Sequence, residues 1–390
     1  MISSRKRNLE ETKTEEQKKL RQDTDAVIQQ QKLHGLKNQG ATCYLNSVLQ
    51  VLFMTPEIHD RLDPESQKID QELRNIFVRL KKRTCGTEKI TKTLEINNVS
   101  QQRDAADCLD LILCKVSSRV SELFEGQLTY TTECSEGHVI NEETNPFWTL
   151  PLSLRDNPDE TYSVEEGFEK VFQIVSYSGD NMVYCQECEK KTEATSGCEM
   201  VKFPRILILL LKRFDFDYNT MSDFKSDCCV AVPSELKTKD KKYKVYGMVN
   251  HMGSLRGGHY TATVLSKEDH TWYDCDDSHV TQSEEQLFAE TRAYNSRTAY
   301  LVMYRASERE SEEVKEQQRT RRRVGEKDEP KKRRMHEYIK KSGEKNIHED
   351  ALQPGKSSEI KTNTFLITFI TGFLALIVII AMILTALSRN

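Results

Sequence analysis

The hydrophobic period of this chain changes part-way along, and that change limits what it can fold into. From Ala41 to Phe53 apolar residues recur at helical spacing, stopping before Pro56, and residues 108–120 also read as helical. From Leu128 onward the period shortens: QLTYTTEC, ILILLLKRF, KYKVYGMVNHM, GHYTATVL and TAYLVMYR all read as strands. Helices that precede strands, instead of alternating with them, predict an α+β fold with a mostly antiparallel sheet.

Composition divides the 390 residues into four zones. Residues 1–32 are a polar, charged N-terminal arm without Pro or Gly. Residues 33–305 mix apolar periodicity with turn residues and read as the globular part. Residues 306–361 carry 16 Lys/Arg and 13 Asp/Glu. They offer too little apolar surface to offset chain entropy and read as a charged flexible linker. Residues 362–388 hold no charge, and Phe365–Leu387 is an almost wholly apolar run of 23 residues. A hydrocarbon core about 30 Å thick needs roughly 20 helical residues. The run is therefore expected to be a transmembrane tail anchor that leaves the preceding residues in the cytosol. Few flanking charges lean it toward the endoplasmic reticulum over the mitochondrial outer membrane. Two basic clusters, Arg321–Arg323 and Lys331–Arg334, then suit a solvated or membrane-surface role better than nuclear import. A net charge of -4 gives no reason to expect a nucleic-acid partner.

Eleven cysteines lie between Cys43 and Cys275 at irregular spacing, and the first thirty residues hold no apolar run of signal-peptide length. An odd, irregular set argues against a disulfide framework and for a reducing compartment. Thiols are then available for catalysis.

Three short segments carry chemistry. In GLKNQGATCYLNS (Gly35–Ser47) a glycine turn delivers Cys43 to the start of a helix, where unpaired N–H groups favour an anion. The thiol pKa is expected to fall there, and a helix-end N–H together with the Asn38 amide could hold an oxyanion. In GGHYTAT, Gly257 and Gly258 precede His259 at the start of a strand. In WYDCDDS, an acid one strand further on can hold the imidazole in the right tautomer.

In this order and setting the segments resemble the ubiquitin-specific protease family of deubiquitinases. The boxes GLKNQGATCYLNSVLQVLF and VNHMGSLRGGHYTATV, with LKRF (Leu211–Phe214), carry the resemblance, which spans residues 33–305. It implies a papain-like cysteine protease with thumb, palm and fingers in a right-hand architecture. Its partners would be ubiquitin and ubiquitinated proteins, and its reaction hydrolysis of the peptide or isopeptide bond after ubiquitin's last glycine. Residue by residue, Cys43 falls on the family's nucleophile and His259 on its general base. Asp276 takes the place of the residue that orients the histidine, Asp277 supports it, and Asn38 matches the oxyanion side chain. His251 shares the box but lies eight residues before the catalytic position. The ubiquitin tail, Leu-Arg-Gly-Gly, implies a narrow channel at Gly257 and Gly258 and carboxylates for the arginines. The corresponding box reads Gln102-Arg103-Asp104-Ala105-Ala106-Asp107, which keeps Asp104 and offers Asp107 in place of Glu.

Family members often hold a structural zinc on two Cys-x-x-Cys pairs. Here Cys185 and Cys188 form one pair, and the other reads Cys134-Ser-Glu-Gly137-His138. Either His138 completes a Cys3His set, or the site is a remnant held by packing; the sequence leaves both open. Catalysis itself requires no cofactor. The alternative functions are a catalytically inactive ubiquitin-binding scaffold and a protease for another ubiquitin-like modifier.

Overall fold

A strand as apolar as ILILLLK has no face to offer water and must be covered on both sides. The computed structural model describes residues 33–307 except 66, 155–159, 219, 256, 284–286 and 289–291, and it meets that demand. Three long helices come first: α1 (Cys43–Phe53), α2 (Lys68–Leu80) and α3 (Ala105–Lys115). The strands of the two larger sheets follow. They are β1 (Gly126–Cys134), β2 (Val139–Phe147), β3 (Thr149–Ser153), β4 (Val175–Tyr177), β5 (Ala194–Lys202) and β6 (Ile206–Lys212). Next come β7 (Lys242–Ser254), β8 (Gly257–Leu265), β9 (Trp272–Asp276), β10 (His279–Gln282) and β11 (Ala299–Ala306).

The main sheet runs β10-β9-β8-β7-β11-β6-β3, with Glu235–Lys237 also paired to β7. Its neighbours are antiparallel except β3 against β6. A separate antiparallel sheet has the order β2-β1-β5-β4. The three long helices precede the strands, as the change of period predicts, but a further short helix, Val164–Lys170, lies among the strands. Alternation along β6 explains its composition. Ile206 and Ile208, with Leu301 and Met303 of β11, join the core around the helices. Leu207, Leu209 and Leu211, with Val302 and Tyr304, join a second core around Val164, Phe168, Val230 and Val232.

Helix α1 is buried along all eleven residues and packs against β8 and α3. Full burial of each Leu or Val is worth about 1.5–3 kcal/mol, so this helix is fixed mainly by packing. The helix expected over 108–120 is displaced. Asp104 caps α3 by accepting from the N–H groups of Ala106 and Asp107, which starts the helix earlier. At its other end Val116 is extended, and a separate turn, Ser118–Ser121, follows. The buried Asp70 carboxylate takes the Ser117 N–H at 3.0 Å and its hydroxyl at 2.5 Å, which favours the break.

Arg213, fully buried after β6, has carbonyls where water would be. Its guanidinium donates to Ala299, Ser226, Cys228 and Ser296 at 2.7, 3.1, 3.0 and 3.4 Å, tying β6 to the start of β11. All eleven cysteines are free thiols. The polar arm, the linker beyond Ser307 and the apolar run Phe365–Leu387 lie outside the described residues. Among the described residues no helix is long and apolar enough to cross a membrane.

Candidate active site

The turn before α1 is built by one side chain. Asn38 Oδ1 accepts from the N–H groups of Gly40 at 2.9 Å and Thr42 at 3.0 Å, and the Ala41 N–H bonds to the Val99 carbonyl at 2.8 Å. Cys43 thereby becomes the first residue of α1, buried at 2% exposure. His259 stands on β8 and Asp276 ends β9. The imidazole Nε2 and Asp276 Oδ1 are 2.6 Å apart. That bond commits Nε2 and leaves Nδ1 as the nitrogen able to take a proton from a thiol. The N–H of Tyr260, the residue after His259, reaches the Cys43 sulfur and favours its thiolate.

Asp277 connects the two halves. Its φ of 48° turns the chain after β9. Oδ2 accepts from Asn38 Nδ2 at 2.9 Å, Oδ1 accepts from Asn46 Nδ2 at 2.7 Å, and its carbonyl accepts from the Leu36 N–H at 2.7 Å. Asn46 was not among the residues expected from the sequence. Its one signal is an amide, 1% exposed, on a helix that is otherwise mainly apolar.

The expectation of a depressed thiol pKa is corrected. Burial pushes the Cys43 thiol up, and the charge of Asp277 adds to that. The N–H groups of Tyr260, Tyr44 and Cys43 pull the other way without prevailing. The helix end contributes as anticipated, but desolvation of a buried sulfur outweighs it.

The tail box divides. Asp104 uses Oδ1 as the α3 cap, and its Oδ2 accepts from the hydroxyls of Tyr300 at 2.6 Å and Tyr260 at 3.3 Å. An arginine would have to share a carboxylate that already has four donors. Asp107 is exposed one turn on, its pKa raised by crowding from the surrounding protein and by the charge of Asp104. Gly257 and Gly258 also differ. A Cβ on Gly257 would meet nothing within 4 Å, whereas one on Gly258 would strike His251 Nε2 and the Met252 carbonyl. Open space adjoins Gly257 alone, and close packing dictates glycine at 258. His251 is buried against Phe214 and Tyr260, and burial together with Lys225 lowers its pKa to about 4. It is a neutral packing ring.

Cys134, His138, Cys185 and Cys188 converge, with one ligand atom from each lying within 4.8 Å of all the others. His138 Nδ1 is 3.2 Å from Cys188 Sγ and 3.8 Å from Cys185 Sγ, and Cys134 Sγ is 3.9 Å from Cys188 Sγ. Zn–S bonds of about 2.3 Å and Zn–N bonds of about 2.0 Å at tetrahedral angles put ligand atoms roughly 3.5–3.8 Å apart, so the donor set fits zinc. Burial opposes ionisation of Cys134, yet the His138 and Glu136 N–H groups and the neighbouring thiols bring it down to about 7. Burial and the Cys185 and Cys134 thiols push Cys188 up to about 12.

A helix-end cysteine beside a strand-borne His–Asp pair is the set of parts from which a papain-like cysteine peptidase is built. Residues 34–304 match the ubiquitin carboxyl-terminal hydrolase family, and the chain belongs to it. It is 27% identical over 374 residues to ubiquitin carboxyl-terminal hydrolase 47 of Xenopus tropicalis, covering 70% of this chain and 28% of that protein. The Homo sapiens protein of the same name is 27% identical over 375 residues, covering 70% and 27%. Ubiquitin carboxyl-terminal hydrolase 15 of Schizosaccharomyces pombe is 28% identical over 280 residues, covering 64% and 24%. The matched region thus spans under a third of the length of these relatives.

A thiol with a raised pKa is protonated at neutral pH. Alkylation of Cys43 by iodoacetamide, followed on its own peptide by mass spectrometry, should be slow at pH 7. It should accelerate up to about tenfold per unit of rising pH. A rate already constant from pH 6 upward would reveal a standing thiolate.

Proposed function

We propose that this chain is a cysteine-dependent deubiquitinase that cleaves after the C-terminal glycine of ubiquitin. The observation that carries the reading is the His259–Asp276 contact of 2.6 Å beside the buried helix-end Cys43. In this scheme His259 takes the Cys43 proton as the sulfur attacks, with Asp276 stabilising the imidazolium. The carbonyl of the last glycine then becomes a thioester at Cys43. His259 hands the proton to the leaving lysine amine and afterwards activates water. A backbone N–H at the start of α1 and the remaining Asn38 Nδ2 hydrogen are the oxyanion donors in this scheme. Asp107, exposed and without the four donors that Asp104 already accepts from, is the acid offered here for the tail arginines. A ubiquitin probe with a C-terminal electrophile should be captured covalently by the wild type and not by Cys43→Ala. No adduct with folded wild-type protein would favour a ubiquitin-binding scaffold, and preferential capture of a ubiquitin relative would favour the other modifier.

Two further assignments belong to this reading. Zinc on Cys134, His138, Cys185 and Cys188 would cross-link the β1–β2 turn to the Val183–Cys185/Lys190–Thr192 hairpin. Purified protein should carry close to one zinc per chain by atomic emission, and Cys185→Ser should lose it. A metal-free wild type of equal stability would leave the remnant reading. The run Phe365–Leu387 would hold the catalytic part on a cytosol-facing membrane, the endoplasmic reticulum before the mitochondrial outer membrane. Deleting 362–390 should release the protein from the membrane fraction with hydrolysis of soluble substrates largely intact. Retention of the truncated chain on membranes would refute the anchor.

A further inference from the structure

Strand β9 pairs with β8 only from Ala262 onward, so among the described residues Gly257–Thr261 have a strand neighbour on one side alone. An open edge presents main-chain donors and acceptors that an extended peptide can use as a strand would. Here part of that edge is occupied from within the chain. The Gly258 N–H donates to Gln102 Oε1 at 3.2 Å, and Gln102 Nε2 donates back to the Gly258 carbonyl. Two residues further on, the Tyr260 N–H reaches the Cys43 sulfur. Gln102 therefore stands one strand step from the nucleophile, its primary amide imitating a peptide unit.

The surroundings suit a movable part. Gln102 is exposed and lies two residues before Asp104, whose carboxylate is fixed by two helix N–H groups and two tyrosine hydroxyls. The backbone is thus anchored next to a side chain with several rotatable bonds. Open space adjoins the contact at Gly257. A tail running to Cys43 along this edge needs the groups on Gly258 that Gln102 holds.

We infer that Gln102 is a gate on the acyl-binding edge of β8. In the resting enzyme it fills the hydrogen-bonding site that the extended tail of the substrate must take, and it swings aside as the tail enters. The inference rests on the deubiquitinase reading for the identity of the tail. Two solvent-exposed neutral hydrogen bonds make a weak gate, worth roughly tenfold in rate.

Gln102→Ala and Gln102→Met, with melting temperature as the check on folding, test it with two probes. Ubiquitin bearing a C-terminal electrophile reports the whole substrate. A short peptide electrophile ending in Gly-Gly reads the edge without the ubiquitin fold. Both variants should capture both probes about tenfold faster than wild type, with KM for a fluorogenic ubiquitin substrate lowered and kcat little changed. Slower capture would make Gln102 a tail-binding residue, and unchanged capture would make its contact irrelevant; either overturns the gate. If wild type takes the peptide but not ubiquitin, the deubiquitinase reading fails, while the variants' peptide rates still decide the gate. Capture of neither probe by wild type or variants sinks both.

Discussion

The Asp277 carboxylate accepts one amide from Asn38 and another from Asn46, residues 239 and 231 positions away in the chain. Through it, the arm that carries Cys43 and the strand end that carries Asp276 share one set of hydrogen bonds. Neither side could shift without breaking a charge-assisted contact. The left-handed turn at Asp277 is tolerated because aspartate enters that region more readily than most residues. This bridge ties the arm before Cys43 to the strand end that carries Asp276, while α1 itself packs on the strand of His259.

Behind the bridge, the main sheet supplies rigidity. Strands β6 and β11 are buried on both faces, and Arg213 binds four carbonyls at their edge where a buried guanidinium would otherwise be costly. Helix α1 lies against β8, so the thiol and the imidazole are held by packed elements, while Gly257–Thr261 have, among the described residues, a strand neighbour on one side alone. The strand edge is left unpaired by the late start of β9 pairing.

The neighbourhood of the thiol also sets its chemistry. Burial encloses Cys43 and at the same time disfavours its thiolate. A similar exchange occurs at Asp104. An acid suited by type to receive an arginine also serves as helix cap and tyrosine anchor, and it fixes the start of α3 in doing so. Elsewhere in the fold, His138 stands with three thiols in an arrangement that its offset from the usual spacing did not guarantee.

What the sequence determined by itself was the order of helices and strands, the boxes around Cys43 and His259, and the identity of the acid after Trp272. Those are local patterns, set by period, by glycine and by residue type. Where the helix at 108–120 would break was not legible, because Asp70, far off in sequence, takes Ser117. Asn46 was hidden for a similar reason: an amide on a mainly apolar helix is a weak local mark, and its partner Asp277 lies 231 positions away. Gly257 and Gly258 look alike in sequence, yet one borders open space and the other packs on His251. Only the tertiary structure could separate them, since hydrogen-bond partners, desolvation and close contact depend on what folding brings from elsewhere in the chain.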